Sequence, residues 1–388
     1  MRFLKFIILL FIFCNLPGYC LVNANATIGS LLSYFTFLLI VIYYVFNKKE
    51  QPPIPFIVFG LLFFFISLCV NTDNSDTFFI TLIKYFVILM GASVVKQASK
   101  NELFYILLLG AISIIYEAIF LSGISGRFSG FYLNANPAGF VCILGYAFSL
   151  FMENKKLKIL GQLLFTIAGF ATFSRTFLLI WLVINILLLL VDLRNAYSII
   201  LGIALFGLFL SLETKSDLST KRVGAFSALL EGKLDDDLKK EPRTETWAIY
   251  YDKILDKPIF GNGYRTFSGE VYGTENNSYT IRNGVHNTFL MIIGEAGFFV
   301  FLFFCCIYGS FLFNGIKMFK DDPQTFLVSL SLILYMLTNH NYFENYIELF
   351  VSLWLYIRIK NWKEKKSKVL QIISNPSFKI HTGLAKAI

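Results

Sequence analysis

The sequence predicts an all-α, polytopic integral membrane protein, and three observations carry that prediction. Of its 388 residues, 56% are hydrophobic and 18% aromatic, Phe alone supplies 44, and only 15% are charged. A soluble domain carries about 25% charged residues. The apolar residues also come in blocks of roughly 15 to 20, long enough to cross a bilayer as helices. Finally, the basic residues between those blocks fall on alternate connections, the pattern of a chain that crosses a membrane repeatedly. Lipid-exposed irregular backbone cannot span hydrocarbon, so the blocks are expected to be helical.

Hydropathy and helix length give about twelve spans: 4–16, 28–46, 54–70, 77–95, 103–121, 137–152, 159–173, 177–191, 197–212, 286–313, 325–339 and 346–359. The first block follows Arg2 and Lys5 and has the short apolar core of a signal peptide. The many blocks after it favour an uncleaved first helix. With the N-terminus in the cytoplasm, the cytoplasmic segments hold 20 of the 34 Lys and Arg, eight of them from Arg358 onward. The short outside loops hold only Arg127 and Arg175. This positive-inside pattern puts both termini in the cytoplasm. The net charge of +9 follows mostly from topology and gives no reason to expect nucleic acid as a partner.

The chain thus divides into nine spans over residues 1–212, an extracytoplasmic loop at 213–285, three spans over 286–359 and a cytoplasmic tail at 360–388. The loop is near neutral, with 11 basic and 12 acidic residues. Loops of this length are usually functional. Two helices are expected in it. One is an amphipathic segment at 222–234 suited to a membrane surface. The other, 242–255, starts on Pro242 and carries Trp247, Tyr250, Tyr251 and Ile254 as one apolar stripe. "DKPIFGNGY" then makes a turn with Gly261 and Gly263. The six cysteines, nearly all in apolar blocks and with no CxxC, read as buried hydrophobes and support neither a zinc site nor a disulfide framework.

Chemistry is expected on the outside face. A cation there runs against the topological bias, so Arg127 in "GRFSGFYLNANPAG" and Arg175 in "FSRTF" need a reason. The plain alternatives are a snorkelling side chain for Arg127 and a helix–helix turn capped by Thr176 for Arg175. Asn136 before Pro137 reads as a helix N-cap. Arg243, in the first turn of the 242–255 helix, joins a guanidinium fork to a helix N-terminus, a natural anion site. Its alternative is a weak exposed pair with Glu241 or Glu245. His286 is one of three histidines and stands where the loop re-enters the membrane. A lone histidine there is ordinarily an interface residue, but Arg243, Arg265 and Arg282 arrive on the same side and favour its neutral, proton-accepting form. His340 with Asn341, Glu344 and Glu348 forms a second outside polar cluster, and two histidines on separate loops are weak grounds for a metal. Lys84 and Glu117, within the fourth and fifth spans, are expected to pair. Glu295 lies nine residues beyond His286, too deep to partner it directly. No phosphate loop and no outside Asp-x-Asp metal motif occurs.

Taken in order, "GRFSGFYLNANPAG", "SRT", "RTETWAIYYDKILDKPIFGNGYRTF" and "VHNTFLMIIGEAGFFVFLFF" resemble the O-antigen polymerase and O-antigen ligase superfamily, the Wzy-type polymerases and their ligase relatives. The resemblance runs over residues 127–297, with "NANP" in place of the commoner Asn-Pro-Asn. It implies a glycosyltransferase of polysaccharide biosynthesis (lipopolysaccharide or capsule) acting on undecaprenyl-diphosphate-linked glycan at the outer leaflet, without nucleotide, metal or cofactor. A chain-length regulator protein and membrane lipid are the partners it suggests. On that reading His286, Arg243 and Arg175 are catalytic, and Arg127, Asn136, Arg265, Arg282, Asn287 and His340 bind substrate. Polymerase is favoured over ligase. A flippase or transporter, which would place polar sites at the midplane of broken helices, is the reading from another class.

Overall fold

The computed structural model describes residues 1–47, 50–70, 75–121, 127–191, 199–200, 202–204, 207, 242–269, 271–273, 279–281 and 284–374. The described chain is helical. Before the long loop come α1 (Arg2–Phe13), α2 (Leu16–Asn23), α3 (Ala26–Phe46), α4 (Ile54–Val70), α5 (Ser75–Met90), α6 (Ala92–Lys96), α7 (Lys100–Phe120), α8 (Ala135–Ser149), α9 (Lys155–Ala171) and α10 (Arg175–Val191). Within and after it come α11 (Pro242–Asp256), α12 (Thr288–Met318), α13 (Pro323–Met336) and α14 (Tyr346–Ser374). Two three-residue strands, Val271–Gly273 and Tyr279–Ile281, pair antiparallel inside the loop.

Helices therefore occupy the expected apolar segments, apart from 197–212, which lies largely outside the described residues, as do the 222–234 helix and His381. Among the described residues, four helices are long and apolar enough to cross a membrane alone, or five if the bent pair α1 and α2 forms one span. Ile54–Val70, Ala135–Ser149, Arg175–Leu189 and Pro323–Met336 are apolar but shorter. The first expected span, 4–16, is corrected. The chain breaks after Phe13 and bends by 56° into α2. Asn15 takes the left-handed conformation at φ 48°, and Pro17, in the first turn of α2, has no N–H with which to continue α1.

Three further local expectations change. The N-cap of α8 is Asn134, whose Oδ1 accepts the Asn136 N–H at 2.9 Å. Pro137 becomes the third helical residue, where the backbone N–H has no intrahelical partner in any case. At α10, Ser174 Oγ accepts the Phe177 N–H at 3.3 Å, while buried Thr176 caps nothing. Lys84 and Glu117 do not pair. Glu117 Oε2 accepts the N–H groups of Ser129 (2.7 Å) and Gly130 (2.5 Å), fixing the start of the turn that follows Arg127. Lys84 instead lies against the rings of Tyr34 and Phe37 on α3.

The core contains a large aromatic cluster. Phe343, from the connection between α13 and α14, inserts among Phe59, Phe63 and Phe64 of α4 and Tyr85 of α5, its centroid 4.3 Å from that of Phe63. The adjoining Tyr342 hydroxyl accepts from Tyr308 of α12 at 2.9 Å. In lipid such packing stabilises by close contact rather than by escape from water. Aromatic pairs add about 0.5–1.5 kcal/mol each. The consequence is positional: the 338–345 loop is anchored through Tyr342 and Phe343 to α4, α5 and α12. On the side the sequence assigns to the cytoplasm, ion pairs join Lys5 to Glu102, Glu50 to Lys96 and Lys360, and Arg358 to Asp322.

Candidate active site

The site begins with a joint between the long loop and α12. In "GEAGFF", Gly297 breaks α12 with φ 78° and ψ −178°, a backbone state that essentially only glycine adopts. The turn after α11 fits into this break. Asn262 N–H donates to the Gly294 carbonyl (2.7 Å), Gly263 N–H to that of Glu295 (3.0 Å), and Phe298 N–H to that of Pro258 (2.8 Å). The Asn262 side-chain amide bridges the carbonyls of Gly294 (3.1 Å) and Lys253 (2.8 Å). Gly261, at φ 72°, lies so close to the Glu295 backbone that a Cβ has no room. Buried Glu295 turns its carboxylate to the Phe267 N–H (3.1 Å), so it serves the loop and not His286. The expected turn over "DKPIFGNGY" is thus the plug of a broken helix.

The plug in turn sets His286. Val285 is held on both sides: its N–H donates to the Phe267 carbonyl (3.0 Å), and its carbonyl accepts the indole N–H of Trp247 on α11 (2.9 Å). His286 follows with φ 46°, an uncommon left-handed state that turns the chain sharply before α12. Asn287 is buried and caps α12, its Oδ1 accepting from Phe289 (2.9 Å) and Leu290 (3.2 Å). Thr288 Oγ donates to the Asn339 carbonyl (2.7 Å), tying the entry of α12 to the anchored loop.

That tie brings the two histidines together. Their ring centroids are 4.6 Å apart with the planes at 83°. His286 is exposed, whereas His340 is 8% exposed. His340 Nε2 lies 3.2 Å from the Ser268 carbonyl, which can only accept, so Nε2 carries the hydrogen and the buried Nδ1 is bare. Burial, and then the neighbouring His286, push the His340 pKa down to about 4. The ring is therefore neutral at physiological pH.

Both histidines line a cavity of about 520 Å³, with Asn15 at the break after α1, Lys84, Asn136 and Glu344 among its other polar walls. Asn136 connects it to a second cluster. Its Oδ1, released from capping, accepts from Ser174 Oγ (3.1 Å) and lies 3.5 Å from Arg127 Nη2, while Arg127 Nε donates to the Thr172 carbonyl (3.3 Å). Arg175, one residue beyond Ser174, is exposed in the first turn of α10 and does not line the cavity. Arg265 reaches the cavity rim through its ion pair with Glu344 at 3.0 Å. Arg243 lies in the first turn of α11, but its side chain is outside the described residues, as is the whole of Arg282. Glu348, expected in the outside cluster, is buried and accepts from Asn339 and Asn345. No group of three candidate metal ligands occurs among the described residues.

Of the expected residues, the fold therefore gathers His286, His340 and Asn136 at one cavity, with Arg127 and Arg265 one contact away. It uses Asn287 as a cap. Ser174, Asn134, Asn15 and Lys84 are additions, and of these Lys84, Asn134 of "NANP" and Ser174 of "SRT" carry a sequence signal. Residues 160–305 match the model of a family described as O-antigen ligase, which supports the superfamily resemblance and takes in Arg175, Arg243, the plug and His286. Arg127 and Asn136 lie before the matched region. No curated protein matches the chain.

Proposed function

We propose, from that family match, that the chain is a membrane glycosyltransferase that joins undecaprenyl-diphosphate-linked oligosaccharide units into O-antigen or capsular polysaccharide. The observation that carries this reading is the cavity where the exposed His286 ring, which lies in the matched region, stands over buried, neutral His340. In the reaction, an acceptor sugar hydroxyl attacks the anomeric carbon of a lipid-linked glycan. The new C–O bond forms as the bond to diphosphate breaks, the electron pair leaves with the diphosphate, and the hydroxyl proton passes to His286. Such a base contributes about 10² to 10⁴ in rate. Arg175 and Arg243, with Arg127 next, are assigned the growing negative charge on the diphosphate, since preorganised cations act most strongly on charge developing in the transition state. Arg265, Arg282, Asn136 and His340 are assigned to the glycan, and Asn287 acts by setting the entry of α12.

The same reading takes twelve spans, an outside-facing cavity, cytoplasmic termini in the bacterial inner membrane, the division at residues 212, 285 and 359, catalysis without nucleotide or metal, and a chain-length regulator as partner. A second reading, transfer of the finished glycan to a lipid A core or another acceptor, uses the same chemistry and is favoured by the description of the matching family as O-antigen ligase. Deleting the gene and analysing surface and lipid-linked glycans separates the readings. Surface caps of a single repeat unit identify a polymerase, and long chains stranded on carrier lipid identify a ligase. Repeat units trapped on the cytoplasmic side identify a flippase and overturn the proposal.

A further inference from the structure

We propose that Lys84 is an oxyanion-holding residue of the cavity, binding a phosphate or carboxylate of the lipid-linked substrate; this rests on the glycan-transfer reading above. Lys84 projects from α5, one turn after Thr81, and lines the same cavity as His286 and His340. A cation inside a membrane helix ordinarily pairs with an acid or faces a cavity with a purpose. Lys84 has no hydrogen bond or ion pair among the described residues. Its ammonium lies 5.5 Å from the Tyr34 ring centroid and 5.7 Å from that of Phe37, an aromatic seat that holds the cation without using its N–H donors.

The charge balance of the walls makes the same point. Among the described residues lining the cavity, Lys84 is the one Lys or Arg and Glu344 the one carboxylate. Glu344 is engaged by Arg265 at 3.0 Å and acts on Lys84 only from beyond ion-pair distance, so among the described residues the N–H donors of Lys84 remain available in partly apolar surroundings. An anion brought to that point is attracted more strongly than in water. The helix is also fixed relative to the site: Tyr264, next to Arg265, donates its hydroxyl to Thr81 at 2.8 Å, binding α5 to the loop whose Ser268 carbonyl orients His340. Ammonium is a compact point charge rather than a planar fork, which suits a single oxyanion of either kind. Two parts of the substrate offer one: the diphosphate of the carrier, or the carboxylate of an acidic sugar.

The test uses the purified full chain in nanodiscs with two probes, undecaprenyl diphosphate and methyl glucuronide, and the variants Lys84→Met and Lys84→Arg. A lost charge-assisted hydrogen bond lowers affinity about tenfold or more. The proposal expects Lys84→Met to lose that factor for one probe and keep the other, Lys84→Arg to retain most of it, and thermal unfolding to stay at the wild-type value. Loss confined to undecaprenyl diphosphate assigns the carrier, and loss confined to the glucuronide assigns an acidic sugar. Wild-type affinity of Lys84→Met for both probes, or an equal loss for both accompanied by a lowered unfolding temperature, overturns the assignment. The glycan-transfer reading is judged separately by the deletion strain: altered surface glycans there, with unaffected Lys84→Met binding, reject the Lys84 assignment alone.

Discussion

Gly297→Ala is the sharpest probe of how the long loop is held to the bundle. At φ 78° and ψ −178° an alanine backbone is strained by about 1–3 kcal/mol. The added Cβ also points into the Ile259 carbonyl of the plug, so the turn must withdraw. Withdrawal endangers the contacts from Asn262 to Gly294, Gly263 to Glu295 and Phe298 to Pro258, each contributing about 0.5–1.5 kcal/mol. Together these give a loss of about 2.5–7.5 kcal/mol, ample to displace the plug from α12. Tryptophan fluorescence during thermal unfolding in detergent reports the loss, and the glycan profile of cells carrying the variant reports function. Gly309→Ala is the internal comparison. It lies in the same helix, where an added Cβ would meet open space, and it should leave both readouts unchanged. If Gly297→Ala unfolds at the wild-type temperature, the plug is not a structural joint and the account of how His286 is positioned fails with it.

Three other perturbations follow from the same geometry. His286→Asn tolerates the positive φ at this position and removes the titratable base, so glycan transfer should fall by about 10² to 10⁴ with unfolding unchanged; wild-type turnover rules out His286 as base. Trp247→Phe removes the hydrogen bond to the Val285 carbonyl together with part of the ring packed on the core, costing about 1 kcal/mol or more and lowering turnover without altering the pH profile; unaltered stability and turnover would show that α11 does not position His286. Because His340 has a pKa near 4, below the ordinary 6.5, the folded protein binds fewer protons than the unfolded chain between those values. Its contribution is therefore intact above pH 6.5 and is lost as pH falls toward 4, at no more than about 1.4 kcal/mol per pH unit. His340→Gln should flatten that part of the stability curve, and an unchanged slope assigns the acid sensitivity to other groups.

What was legible in the sequence followed the range of the interaction. Helices could be placed because a span is written in contiguous residues: Ile54–Val70 is found at the expected limits, and α11 begins on Pro242 as its fixed φ favours. Choices decided by one hydrogen bond were less legible. Asn134 and Asn136 both satisfy the chemistry of a cap, and the preference for proline in the first helical position pointed to the second. The fold uses the first, which frees Asn136 to meet Ser174 and Arg127. The general tendency of membrane charges to pair pointed Lys84 toward Glu117. Two backbone N–H groups at Ser129 and Gly130 satisfy that carboxylate instead, and no pattern within either span announces so distant a competitor.

The joint at Gly297 shows why a motif can be recognised without being understood. "PIFGNG" and "GEAG" look like two separate signatures, each with glycines and neither with an obvious reaction. In the fold they are the two halves of one contact. The first supplies a turn tight enough to enter a helix, with Asn262 offering both backbone and side-chain N–H groups. The second supplies a helix broken so that its carbonyls can receive them. Neither half has a reason to keep its glycines without the other. The coupling also explains the spacing toward His286. Phe267, a few residues past the plug, holds Val285 through its carbonyl and donates its N–H to the Glu295 carboxylate. One residue thus fixes the segment leading to the histidine against the helix leading away from it. Activity should accordingly be sensitive to substitutions along residues 258–267 that never touch substrate, and such losses are to be read as displacement of His286 rather than as loss of a catalytic group.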